Sequence, residues 1–103
     1  SLNTIEELEL SIKFNYNVCR YLWLQKDTEQ AISRIYTTIK QCKDYRTTYL
    51  LADLYVLMGN ISKSISSKDN TLENYEVARF LYKLDENIPM MLKVEQYILK
   101  LTE

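Results

Sequence analysis

Apolar residues in the first part of the chain recur at Leu8, Ile12, Val18, Cys19, Leu22 and Trp23, close to the period of a helix with one buried side. Thr4 followed by Glu7 has the form of a capping box, so the first helix is predicted to begin after Asn3–Thr4. Lys26-Asp27-Thr28 breaks the pattern, and Asp27 or Thr28 is placed to cap a second helix. That helix carries Ala31, Ile32, Ile35, Tyr36 and Ile39 on one side and ends at the polar turn Gln41–Asp44. A third helix, the most apolar, is predicted from about Tyr45 to Met58, with Gly59 taking the left-handed cap position before Asn60. Residues 61–74 are polar and read as an insertion that lengthens one turn, although Ile61 and Ile65 can prolong a helix locally. A fourth helix follows from about Leu72 to Asp85, carrying Tyr75, Ala78, Phe80, Leu81 and Tyr82. Asn87-Ile88-Pro89 opens a fifth over about 88–101, since proline suits a first helical turn.

The fold class expected is therefore all-α, with about five helices. One Gly and one Pro among 103 residues support this, because sheets and barrels need more turn residues. A chain of this length suits one domain. Its net charge of −1 argues against a general nucleic-acid binder. The charge is uneven, however: residues 1–10 hold three acids and no base, whereas residues 11–46 hold seven bases and three acids. The middle of the chain thus favours an acidic partner, or it presents solvated helix faces.

Small residues at fixed spacing refine the architecture. Cys19, Asp27 and Ala31 lie eight and four residues apart; Ala52 and Asn60 repeat the eight, and Tyr75 and Ala78 follow after the insertion. This is the pattern of a tetratricopeptide repeat, in which small residues let two antiparallel helices approach closely. The expectation is two such hairpins, at about 12–43 and 45–89, plus a capping helix at about 88–101, coiled as a right-handed superhelical bundle. Cys19, Ala31, Ala52 and Ala78 fill the small positions. Tyr55 supplies the large aromatic between the second pair of helices, Leu22 takes that place in the first, and Pro89 closes the second repeat.

Chemistry is sparse. The chain has no His, which excludes His-based triads and His-ligated metals, and its single Gly cannot build a phosphate-binding loop. Two isolated cysteines make no structural zinc site. Cys19 reads as a small core residue and Cys42 as partly exposed, in a reducing compartment. Glu6–Glu7 and Asp85–Glu86 read as exposed charge. No enzyme activity, metal or cofactor is expected, and no segment is apolar enough to span a membrane.

Repeat geometry instead selects a binding face. The first helix of each pair faces inward at intervals of three and four residues. That choice points to Lys13, Tyr16, Arg20 and Trp23, then to Arg46, Tyr49, Asp53 and Val56. Aromatic and Arg side chains anchor interfaces, so an amphipathic helix or extended peptide with acidic groups is the expected ligand. Tyr16 and Trp23 read equally as core aromatics, and Arg20 and Arg46 as solvated charges.

Phe14-Asn15-Tyr16 with Cys19 and Leu22, Tyr49-Leu50-Leu51-Ala52-Asp53-Leu54-Tyr55 before Gly59-Asn60, and Tyr75-Glu76-Val77-Ala78-Arg79 together resemble the cytosolic domain of the mitochondrial fission protein 1 family, over about residues 13–101. The resemblance implies a non-enzymatic adaptor on the cytosolic face of the mitochondrial outer membrane, and of peroxisomes. It also implies a C-terminal tail anchor, which this sequence does not contain. The implied partners are adaptor helices or a dynamin-related GTPase, recruited for organelle division. Two other readings stay open: a different tetratricopeptide module, such as a complex subunit or co-chaperone, or a structural oligomerisation domain that forms a homodimer. A co-chaperone needs a Lys and Asn clamp, and the corresponding inward positions here hold Tyr16 and Arg20.

Overall fold

The computed structural model describes residues 2–103. They form five helices, α1 (Leu2–Leu24), α2 (Thr28–Asp44), α3 (Leu51–Ser64), α4 (Lys68–Leu84) and α5 (Ile88–Leu101), with no strand among the described residues. The fold is all-α. The chain divides into two compact units, the first running to Leu50 and the second spanning Leu51–Glu103. In the first, α1 packs on α2; in the second, α4 packs on both α3 and α5.

One turn is used four times. After α1, the Asp27 amide donates to the Leu22 carbonyl and the Lys26 amide to the Trp23 carbonyl, both at 2.9 Å, while Lys26 takes a left-handed φ of 62°. These are the two bonds of a Schellman motif. The same pair of bonds recurs at Arg46 and Thr47, at Ser66 and Ser67, and at Glu86 and Asn87, each time with positive φ at the first residue. The second residue then doubles as the N-cap of the next helix in three cases, and in two of them its side chain makes the capping bond. Asp27 accepts from the Gln30 amide at 3.4 Å, and Asn87 accepts from the Met90 amide at 3.3 Å. The sequence reading of Asp27 and of the Asn87–Pro89 start therefore matches the structure.

Several boundaries differ from expectation. α1 begins at Leu2, so Thr4 lies inside the helix and does not cap it. α3 begins at Leu51 and runs past Met58 to Ser64, because residues 45–50 form a connection with left-handed Arg46 and Leu50. Gly59 is consequently not a cap. It sits inside α3, where a Cβ would collide with Cε1 and Cδ1 of the Tyr75 ring. Asn60 is not a turn residue either: it is an exposed position of α3 that accepts from the Tyr75 hydroxyl at 2.5 Å.

The expected insertion at 61–74 is helix apart from a turn at 65–67. Its Ser, Thr and Asn content reads as loop because these side chains compete for backbone groups. Here several of them bond back onto their own helices instead. Ser62 donates to the Met58 carbonyl at 2.9 Å, Thr71 to the Ser67 carbonyl at 2.7 Å, and Asn74 to the Asn70 carbonyl at 2.8 Å. Ser62 and Thr71 are buried.

All four small positions lie in the core: Cys19, Ala31, Ala52 and Ala78 are at most 3% exposed. In the first unit they join Ile12, Ile35, Thr38, Ile39 and Cys42. Cys42 is thus fully buried rather than partly exposed. A polar bracket locks the same hairpin: the Asn15 amide donates to Gln41 Oε1 at 3.0 Å, and the Gln41 amide donates to Ser11 Oγ at 3.1 Å. In the second unit Ala52, Tyr75, Ala78, Tyr82 and Val94 form the core, and Tyr55 packs half-buried against it. Phe80, expected on the apolar side of α4, is exposed instead.

Candidate functional site

The first unit places four of the expected binding residues on or beside one side of α1. Lys13, Tyr16 and Arg20 follow the three- and four-residue spacing that aligns side chains along a helix. Lys13 and Arg20 are exposed, and Tyr16 is half-buried. The Arg20 guanidinium lies 5.9 Å from the centre of the Tyr16 ring, which holds the cation against the aromatic face. Trp23 continues the spacing and is half-buried.

Tyr49 meets Lys13 through the connection after α2. Its amide donates to Thr47 Oγ1 at 3.1 Å, and its carbonyl accepts from the Cys42 thiol at 3.7 Å. Burial raises the Cys42 pKa, so the thiol stays protonated and serves as a donor. The result is an open cleft of about 320 Å³ lined by Glu6, Glu9, Leu10, Lys13 and Tyr49. Reading along α1, this side is acidic at Glu6 and Glu9 and basic at Lys13 and Arg20. Glu6, Glu9 and Leu10 were missed by the sequence analysis, since helix periodicity alone does not say where the connection after α2 returns.

The remaining expected residues are placed differently. Arg46 is exposed at the left-handed position of the turn after α2, not on the first helix of a second pair. Asp53 and Val56 belong to the second unit. Asp53 accepts from the Tyr82 hydroxyl at 2.8 Å, and Val56 packs against the Ala52–Tyr75–Ala78 core. Both therefore support packing within that unit. A separate pocket of about 330 Å³ opens there, lined by Glu76, Arg79, Phe80, Lys83, Met91 and Glu95. The sequence analysis did not single it out; the exposed Phe80 beside paired charges is its only signature.

Both cysteines are free and buried. Burial pushes the Cys19 thiol above its ordinary pKa, against smaller opposing effects from the Thr38 hydroxyl and Arg34. Among the described residues no three His, Cys, Asp or Glu side chains are grouped to hold a metal ion. No helix of the described residues is long and apolar enough to cross a membrane.

Residues 1–96 match the model of the RNPP family C-terminal domain. The chain belongs to the RNPP family. This is a family of quorum-sensing regulators, and its domain is bacterial. The resemblance to mitochondrial fission protein 1 is thereby overturned, and the mitochondrial and peroxisomal division role and the outer membrane go with it. The residues that carried that resemblance are the ones paired helices need in general, so they do not separate one helical-hairpin family from another. No curated protein and no solved structure matches the chain. What holds is coarser: an all-helical, interaction-type domain of the RNPP family.

Proposed function

We propose that this RNPP domain is a non-enzymatic peptide-binding module, and that a short extended or helical segment docks along α1 in the cleft closed by Tyr49. The observation that carries the reading is an open cleft in the first unit where Tyr49 meets Lys13 beside Glu6 and Glu9, with the Tyr16–Arg20 pair continuing the same side of α1 at helical spacing. Aromatic rings supply anchors with little rotamer entropy to lose, and the two cations receive acidic groups of the ligand. Glu6 and Glu9 receive a basic group or an amino terminus at the other end. Membership of a family of quorum-sensing regulators supports a peptide as the ligand class.

The test is binding of a fluorescent peptide library, followed by titration of the best binder. Tyr49→Ala combined with Arg20→Glu is expected to weaken that binder by at least about tenfold, the effect of losing one anchor and one charge contact. Circular dichroism is expected to stay unchanged, since Arg20 is exposed and Tyr49 lies outside the helices. Unaltered affinity in the folded double variant removes α1 as the docking face.

A further inference from the structure

The hairpin of α1 and α2 carries a second hollow that shares no lining residue with the Tyr49 cleft. It is a pocket of about 340 Å³, lined by Val18 and Leu22 of α1 and by Gln30, Ser33, Arg34 and Thr37 of α2. The four α2 residues follow helical spacing, which sets them along one strip of that helix. Arg34 is the one charged residue of the lining, so the pocket is cationic and holds no carboxylate.

Arg34 is left without a counterpart inside the fold. Its Nε atom is buried and has no hydrogen-bond acceptor. The ion pair found among the described residues joins Lys40 to Asp44 and leaves Arg34 out. A buried N–H that lacks an acceptor costs more than an ordinary hydrogen bond contributes, and a charged one costs most. The groups beside Arg34 are polar as well. Ser33 and Gln30 are exposed, and each carries donor hydrogens. Thr37 spends its hydroxyl proton on the Ser33 carbonyl at 3.0 Å.

We propose that this pocket binds the phosphate group of a small organic phosphate monoester. A guanidinium grips an oxyanion side-on, through Nε–H and one terminal N–H. Nε lies beneath the surface, so the side chain swings towards the anion as it docks and its unpaired N–H gains an acceptor. The Ser33 hydroxyl and the Gln30 amide add donors from two further directions. A carboxylate offers two oxygens in one plane, whereas a phosphate offers three terminal oxygens to donors arriving from three side chains. Val18 and Leu22 form an apolar floor for the carbon skeleton of the ester.

Titration of the intact chain with glycerol phosphate, at fixed ionic strength, tests the site. The readouts are the heat of binding and the Nε–H resonance of each arginine. Saturable binding is expected, with the Arg34 resonance shifting and those of Arg20, Arg46 and Arg79 unmoved. Arg34→Lys keeps the charge but loses the fork, and is expected to weaken binding by at least about tenfold. Gln30→Ala combined with Ser33→Ala is expected to weaken it too, with unchanged circular dichroism because both residues are exposed. That second variant decides the matter should Arg34→Lys fail to fold. Binding that does not saturate, or equal shifts at all four arginines, overturns the site. Unaltered affinity in folded Arg34→Lys, or in the double variant, overturns it as well. Acetate that binds as tightly as glycerol phosphate overturns the choice of phosphate, and inorganic phosphate that does so overturns the ester.

Discussion

At the scale of single residues, the one glycine carries the clearest lesson. Gly59 sits mid-helix, where glycine costs stability relative to alanine, yet here it makes room for the Tyr75 ring. Tyr75 is itself pinned by its hydroxyl on Asn60 and by the tilted Tyr97 ring, with centres 5.5 Å apart. Gly59→Ala is therefore expected to destabilise by about 1–3 kcal/mol, the cost of overpacking a closed core. Thermal or urea unfolding measures it, and a neutral result means that the ring gives way freely. Sequence reading assigned Gly59 to a cap because glycine near the end of an apolar run usually is one. Only the approach of a residue sixteen positions later distinguishes the two roles.

The elements are stopped by turns that lack the residue best suited to them. Lys26, Arg46, Ser66 and Glu86 all take positive φ, a conformation that costs an L-residue roughly 1–2 kcal/mol. Lys26→Gly and Ser66→Gly are each expected to stabilise by about 0.5–1 kcal/mol, the relief of strain minus the added freedom of the unfolded chain. Urea midpoints of the two variants and their combination check this, and the effects should add because the turns lie in different units. The existence and type of all five helices were legible in the spacing of apolar residues. The limits of α3 and α4 were not, because Ser62, Thr71 and Asn74 spend their polar groups on backbone carbonyls inside helices. Local composition cannot tell that use from a loop.

For the whole molecule, buried acidic groups tie stability to pH. Cys19 and Cys42 have ordinary pKa values of 9.0 and Tyr75 of 10.0, and burial raises all three in the folded chain. Above those ordinary values the unfolded chain has lost protons that the folded chain retains, so stability falls as pH rises. It is fully present below about pH 9 and declines through the window between the ordinary and the raised values. Urea midpoints at pH 7 and above pH 10 should differ in that direction; a flat profile contradicts the burial of these groups. Membership of the RNPP family was not legible at all. The small residues at Cys19, Ala31, Ala52 and Ala78 report how closely two helices pack, a requirement shared by unrelated families.

Apolar periodicity determined that the chain is helical, and the small residues determined which helix faces touch, since both follow from local geometry and from volume. The candidate site was decided by tertiary structure. Lys13, Tyr16 and Arg20 share a face by helical spacing, but Tyr49 meets the Lys13 end of that face only because Cys42 and Thr47 hold the connection after α2 in place. Those bonds span loop backbone whose path no local preference dictates. The same holds for the exposed Leu10, Phe14, Tyr21 and Leu24 of α1: a helix with apolar residues on two sides does not reveal which one its own chain will cover.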